Sequence, residues 1–362
     1  MARIAEPSYE NLHAAAQLLR KGEVVGMPTE TVYGLAGSVF DESALARIFA
    51  VKERPTFDPL IVHLGSEVLM SEPLVALAKL ELVRLDALNE LARGRTGALM
   101  RAFWPGPLTV VLPKTSRVPD LATSGLPTVG LRVPRHPVAQ ALIAAAGVPL
   151  AAPSANRFGR ISPTTARHVD TELGDRIPLI LDGGSCAIGL ESTVVTVLED
   201  GHVILLRPGA ITRESLEQVT GTPMDVAGKP YAHTLGLSAP GMLESHYAPA
   251  RRLVLLPTSV SQLDAQTALR LAQDAGPKIG LLLQAGNAGE LGRKFGQLTG
   301  REVVALSLSR EGDVAQAARN LFSSLRSLDE SGATLLFAEP CVGQTGLAHA
   351  IADRLNRAAA KT

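Results

Sequence analysis

The sequence predicts an α/β protein in two units, a larger N-terminal one and a smaller, Rossmann-like C-terminal one. Three observations carry this. Strand-like and helix-like segments alternate along most of the chain. Residues 221–250 break the pattern, with four glycines (221, 228, 236, 241) and four prolines (223, 230, 240, 249) and little apolar periodicity. The length, 362 residues, suits two domains at roughly 150 residues each. The units are read as residues 1–220 and 251–362, with 221–250 as a linker.

Leu12, Ala15, Ala16 and Leu19 follow helical spacing, with Ser8 as a candidate N-cap and Gly22 just past the end, so residues near 8–21 form an amphipathic helix. Val24 to Met27 reads as a strand. Pro28 to Leu35 breaks every simple period, as a loop at a strand end does. A helix near 42–52 leads into Lys52-Glu53-Arg54-Pro55. Leu60 to Leu64 is a buried strand, and a mostly helical region reaches Phe103. Strands follow at Leu108 to Leu112, Thr128 to Val133, Leu179 to Leu181, Ser192 to Val197 and Val203 to Leu206, with a helix near 137–146. Beyond the linker come strands at Leu253 to Leu256, Lys278 to Leu283, Val303 to Leu306 and Thr334 to Ala338. Helices near 261–275, 313–330 and 346–360 alternate with them.

Hydrophobic residues make up 46% of the chain and charged ones 19%, too apolar for a disordered protein. Lys plus Arg (35) balance Asp plus Glu (35), so there is no global basic surface for nucleic acid, and any anion site is local. The two cysteines, Cys186 and Cys341, form no CxxC pair, which fits a reducing cytoplasm. The N-terminus lacks an apolar h-region, and the most apolar stretch, Val138 to Pro153, is broken by Gln140, Gly147 and Pro149. The chain therefore reads as cytoplasmic, without signal peptide or membrane span.

GxxxxGK[ST], GxGxxG after a strand, HExxH and GxSxG are all absent from the sequence. What remains is a series of polar clusters at strand ends. Taken singly, most have a structural explanation. Lys52 and Arg54 suit a solvated helix end, Ser154-Ala155-Asn156 a cap or turn, His63 a satisfied core position, Ser192 and Thr193 the start of a strand, and Trp104 a packing anchor. Arg132 is less easily dismissed. It sits in the apolar run Val129 to Val133, where an unpaired guanidinium is costly, so it needs either a protein carboxylate or an anionic ligand.

Taken together and in order, PTETVYGLAG, KERPTFDPLIVH, FWPGPLTVVL, TVGLRVPRHP, APSANRFGRISPT, ESTVV and LRPG resemble the YrdC-like threonylcarbamoyl-AMP synthases over residues 8 to about 215. SAPGMLESHYAPA at 238–250, followed by a small α/β unit, is similar to the two-domain form of that family. The resemblance implies a YrdC-like twisted open sheet followed by a smaller Rossmann-like domain. It implies a nucleotidyltransferase that joins L-threonine, bicarbonate or carbon dioxide, and ATP into threonylcarbamoyl-AMP, releasing pyrophosphate. The product feeds the tRNA threonylcarbamoyl transferase machinery, and the sequence does not decide whether the chain touches tRNA itself.

Residue by residue, the resemblance places threonine on Thr31, His63, Arg132, the Ala152 backbone and Ser192, with Arg132 pairing bidentately to the amino-acid carboxylate. ATP falls to Arg54, Asp58, Thr128, Ser154, Asn156, Ser162, Arg207 and Tyr247, and catalytic charge neutralisation to Lys52 and Arg54. Mg²⁺ is expected through the ATP phosphates, with no protein metal cage. Pro240 to Pro249 is expected to fold as a lid that brings Tyr247 onto the nucleotide. Three features depart from the family's usual pattern: Asp58 where Asn is common, a less basic Met242-to-His246 stretch, and an extra helical excursion at Leu69 to Gly94. Two other functions are conceivable for such a chain. An RNA-binding module of this fold would need basic stripes or stacking rings. A module of a larger carbamoyl-transferring factor would need acylphosphatase and zinc-finger-like segments, which the chain lacks.

Overall fold

A computed structural model describes residues 2–226, 246–343 and 345–360. Contacts divide the chain into two compact units, Met1–Phe158 with Pro163–Ala187 and Glu191–Met242, and Gly159–Ser162 with Ile188–Leu190 and Leu243–Thr362.

Among the described residues the first unit has eleven strands, β1 (Arg3–Ala5), β2 (Val25–Met27), β3 (Gly34–Ser38), β4 (Ile61–His63), β5 (Leu108–Pro113), β6 (Thr128–Arg132), β7 (Leu150–Ala151), β8 (Leu179–Leu181), β9 (Thr193–Val197), β10 (Val203–Arg207) and β11 (Met224–Val226). They form one mixed sheet in the order β1-β8-β2-β3-β7-β4-β6-β5-β9-β10-β11. Its helices are α1 (Tyr9–Arg20), α2 (Glu42–Lys52), α3 (Pro73–Lys79), α4 (Glu90–Phe103), α5 (Asp120–Thr123), α6 (Pro137–Ala146), α7 (Ala166–Leu173) and α8 (Arg213–Thr220).

Local chemistry explains their ends. The Ser8 hydroxyl accepts from the Asn11 N–H to open α1, and Asp41, Asn89, Thr165 and Thr212 cap α2, α4, α7 and α8 in the same way. The central strands bury one face in a large core that includes Val62, Val110, Leu112, Val129, Leu131, Val195 and Leu205. The excursion at 69–94 runs through α3 and into α4, tied by a pair between Arg101 and Glu72 (2.8 Å).

The second unit holds a parallel sheet of β12 (Leu253–Leu255), β15 (Leu335–Ala338), β13 (Lys278–Ala285) and β14 (Glu302–Ser309), in that order, with α9 (Ala265–Leu271), α10 (Ala288–Thr299), α11 (Val314–Asp329) and α12 (Gly346–Ala359). The all-parallel layer matches the Rossmann-like expectation.

Several elements differ from the sequence expectation. Residues 221–250 do not form one free linker. Met224–Val226 pairs with Val203–Leu205 as an edge strand of the first sheet, so that unit extends past residue 220. At the other end, Ala248 N–H donates to Gly159 O (2.8 Å), and the Ala250 and Arg251 N–H groups donate to Asp329 (2.7 and 2.8 Å), all within the second unit. Residues 227–245, most of the expected lid, lie outside the described residues. Helix α10 was not foreseen because Gly289, Gly292 and Gly296 lower its intrinsic propensity. Packing reverses that judgement: a Cβ at Gly292 would stand 2.8 Å from the Ala305 methyl, so the small residue lets the helix seat on β14.

Two glycines offer a test of opposite sign. A Cβ at Gly209 would lie 2.5–2.6 Å from backbone atoms of Glu191, Ser192 and Thr193, which have no side chain to swing away. Gly94 in α4 faces open space. Gly209→Ala is expected to destabilise the protein by about 1–3 kcal/mol, whereas Gly94→Ala is expected to stabilise it by about 0.5–1 kcal/mol. Urea midpoints that shift in the same direction for both would contradict this.

Candidate active site

Side-chain alternation along the central strands creates the site. In β6, Val129 and Leu131 enter the core, leaving Thr128, Gly130 and Arg132 on the other face. In β4, Val62 enters the core while His63 stands beside Arg132 in register. In β5 and β9, Thr109, Val111 and Val194 share that second face. Pro59, Ile61, Thr109, Thr128, Gly130 and Val194 line a cleft on it. A Cβ on Gly130 would press to 3.3 Å from Thr109 Cγ2, so glycine keeps the floor low.

Arg132 is 3% exposed, and its partner in this structure is a protein carboxylate. Nη2 lies 2.7 Å from Glu30 Oε1, Nη1 donates to Thr31 Oγ1 (2.9 Å), and Nε donates to Gly106 O (3.2 Å). The Gly106 carbonyl is held in place by the turn that follows the cis Trp104–Pro105 peptide, where Gly106 N–H donates to Val133 O (2.7 Å) and the Trp104 indole to Leu108 O (2.8 Å). Burial pushes the Glu30 carboxyl up. The charge and hydrogen bond of Arg132, with backbone N–H groups of Glu30 and Arg135, outweigh that and leave it below its ordinary value. His63 is forced the other way: burial, then the Arg132 charge, bring its pKa down to about 3, so the ring is neutral. Its Nδ1 lies 3.2 Å from the Ile61 carbonyl.

Farther along the sheet, Ser192 shares a hydrogen bond with Thr109 (2.8 Å) and receives Arg207, whose Nη2 donates to Ser192 Oγ (3.1 Å) and whose Nε and Nη2 donate to Ser192 O (3.2 and 3.0 Å).

A second charged group gathers where α2 ends. Glu53 adopts φ 53°, a left-handed turn that stops the helix between Lys52 and Arg54. Lys52 Nζ donates to the carbonyls of Ser154 and Asn156. Arg54 pairs with Asp58 Oδ2 (2.7 Å) and donates to the carbonyls of Asp58 (3.0 Å) and Pro59 (2.9 Å). Lys52 and Arg54 are 1% and 7% exposed, so the solvated-helix-end reading is wrong. Burial and the neighbouring Arg54 charge hold the Lys52 ammonium well below its ordinary value, against the pull of Asp58 and Glu172. Burial pushes the Asp58 carboxyl up against Arg54, Lys52 and Arg207, so Arg207 lies within electrostatic reach of this group.

The other candidates sort plainly. Ala152 N–H donates to Ile61 O (2.9 Å), and Ser154 bridges to Gly34, placing both between β3 and β4. Asn156 is buried and donates to Arg157 O (2.7 Å), while Thr128 and Ser154 are half-buried. Ser162 and Tyr247 belong to the second unit. Ser162 is fully buried, and the Tyr247 ring packs 5.5 Å from Phe322 with the Arg354 guanidinium 5.3 Å from its centre. Sequence reasoning passed over Glu30 and Thr109. The need of Arg132 for a carboxylate was the available signal, but it did not choose among the acidic residues. Cys186 and Cys341 are free thiols. Among the described residues no group of three or more His, Cys, Asp and Glu is placed to hold a metal ion, and no helix is long and apolar enough to cross a membrane.

Comparison with known proteins decides the family. Residues 17–209 match the Sua5/YciO/YrdC family model, described as telomere recombination, and residues 211–360 match the model of the threonylcarbamoyl-AMP synthase C-terminal domain. The threonylcarbamoyl-AMP synthase of Bacillus subtilis is 38% identical over 95% of this chain and 92% of its own length. That of Pyrococcus abyssi is 38% identical over 96% and 93%. The chain belongs to the threonylcarbamoyl-AMP synthase family. A crystal structure titled as P. abyssi Sua5 complexed with L-threonine matches with a TM-score of 0.79 at 35% identity, covering 96% of this chain and 94% of that one. The sequence reading of family, fold class and enzymatic activity is thereby borne out, and this threonylcarbamoyl-AMP synthase carries both domains of the longer form.

The neutral His63 makes acid stability a test of the geometry. Its ordinary pKa is 6.5 and its folded value about 3, so between those values the unfolded chain binds a proton that the folded one refuses. Stability therefore falls on acidification, by up to about 1.4 kcal/mol per pH unit from this group. Glu30, held low, adds to the loss below its own ordinary range. His63→Leu is expected to flatten the decline between pH 6.5 and 4.5 in urea unfolding. Equal slopes in the two proteins would refute the buried, neutral assignment.

Proposed function

We propose that the polar face of the first sheet makes threonylcarbamoyl-AMP in two stages. Bicarbonate or carbon dioxide converts the threonine amine to a carbamate. A carbamate oxygen then attacks the α-phosphate of ATP, the new P–O bond forms, the α–β bridge breaks and pyrophosphate leaves. The attacking oxygen is already anionic, so the protein supplies position and charge rather than a nucleophile. The observation that carries this reading is the pair of buried charged groups in the first unit, one built around Arg132 and one around Lys52, Arg54 and Arg207. The first suits an amino acid, the second a polyphosphate.

Threonine falls to Thr31, His63, Arg132, the Ala152 backbone and Ser192, with N–H groups of Arg132 on the substrate carboxylate. ATP falls to Lys52, Arg54, Asp58, Thr128, Ser154, Asn156 and Arg207. Ser162 and Tyr247 carry no part of this proposal. Mg²⁺ enters with ATP as part of the substrate, because the donors here are cations, hydroxyls and carbonyls, and the nearby carboxylate of Asp58 is engaged by Arg54. The product is consumed by a transferase that modifies adenosine in tRNA, and the reaction belongs in the cytoplasm, with both substrates and tRNA.

The direct test is pyrophosphate release by the purified chain, which should require ATP, Mg²⁺, threonine and bicarbonate together. Release without threonine would remove the reading.

The buried Arg54–Asp58 pair yields a sharper test. Arg54→Ala is expected to lower turnover by roughly 10² to 10³ and to destabilise the fold by about 3–5 kcal/mol, because it strands Asp58 at low exposure. Adding Asp58→Asn should restore most of the stability and none of the activity. A double variant that regains turnover along with stability would make Arg54 purely structural.

A further inference from the structure

We propose that Glu30 holds the α-ammonium group of threonine and takes its proton, a role that rests on reading this face as the threonine site. An amino acid is a zwitterion with its two charges on one carbon, and its complement is a cation and an anion set side by side. Arg132 and Glu30 form that complement, 2.7 Å apart and both buried.

Neither group is used up by the other. Arg132 spends three of its five N–H groups on Gly106 O, Thr31 Oγ1 and Glu30, leaving two for a ligand carboxylate. Glu30 meets Arg132 through Oε1, and a carboxylate has about four acceptor sites.

The surrounding groups leave Glu30 as the proton acceptor. His63 on β4 is neutral and has little basicity, and burial also lowers the pKa of His136. Cys186, pushed up to about 12 by burial, stays a thiol. His63, His136 and Cys186 all lie within electrostatic reach of the Glu30 carboxylate, and Arg135 contributes a backbone N–H to it. Arrival of substrate would also change Glu30. Its carboxyl is kept ionised chiefly by Arg132 against the push of burial. A substrate carboxylate that shares that guanidinium would weaken the hold of Arg132 on Glu30, which makes Glu30 a better proton acceptor than it is with Arg132 to itself.

The step balances as follows. Threonine arrives as R–NH₃⁺. One N–H bond breaks, its electron pair stays on nitrogen, and the proton passes to Glu30. The lone pair forms a C–N bond to carbon dioxide, drawn from the bicarbonate pool, while one C=O pair moves onto oxygen. The nitrogen then sheds a second proton to water, leaving R–NH–COO⁻, and Glu30 returns its proton to solvent. The sum is R–NH₃⁺ + CO₂ → R–NH–COO⁻ + 2 H⁺.

The test is calorimetric binding of two ligands to the full chain, L-threonine and the dihydroxybutanoate in which a hydroxyl replaces the amine. The unmodified protein should favour threonine by about tenfold to a hundredfold. Glu30→Gln should lose that preference while keeping its affinity for the hydroxy acid. In turnover assays, pyrophosphate release by Glu30→Gln should climb with pH towards the range where threonine loses its own proton, and Glu30→Asp should recover part of the neutral-pH rate. If Glu30 only props Arg132, both ligands weaken by the same factor and the preference survives, which overturns the proposal. Equal binding of both acids by the unmodified protein overturns it with no variant needed. Failure of the unmodified protein to bind threonine removes the underlying site reading instead.

Discussion

A guanidinium buried on a sheet face cannot be left unpaired, and in this threonylcarbamoyl-AMP synthase the position of Arg132 imposes that demand on everything around it. Alternation in β6 sends Val129 and Leu131 to the core and commits Arg132 to the opposite side. There Glu30 supplies charge, Thr31 a hydroxyl and Gly106 a carbonyl. The loop carrying Glu30 and Thr31 and the turn carrying Gly106 are thus fastened to one side chain. The same charge helps keep His63 neutral. The irregularity of the PTETVYG segment has a cause in this pairing: its residues satisfy a distant arginine instead of a strand ladder.

The second charged group follows different logic. Helix α2 ends in a left-handed residue, and the two cations flanking it turn inward. Lys52 is satisfied by carbonyls of the Ser154–Asn156 segment, and Arg54 by Asp58 and two carbonyls. Carbonyls orient both side chains, while Asp58 offsets the charge of Arg54 and burial opposes that of Lys52. Asp58 tempers the charge there and keeps Arg54 aimed.

Much of the molecule was legible in the order of its residues. The helix at Tyr9–Arg20 with its Ser8 cap, the core strands and the parallel layer of the second unit are all written in local periodicity and capping chemistry. The ordered motifs named the family, because side chains gathered at strand ends are a local record of a shared site. Less legible were elements whose stability comes from elsewhere. The three-residue strand Met224–Val226 exists because β10 offers it partners, and the glycine-rich α10 because Ala305 leaves it room.

By itself, the sequence determined the α/β class, the two-unit organisation, the motif positions and the fact that Arg132 requires an anion. Tertiary structure alone decided that the anion is Glu30, that Lys52 and Arg54 are buried rather than solvated, and that Gly159–Ser162 and Ile188–Leu190 belong with the second unit. The physical reason is distance along the chain. Periodicity and caps reflect contacts within a few residues, whereas the choice of a partner for a buried charge is made by sheet register, which brings Thr31 and Arg132 together across 101 positions.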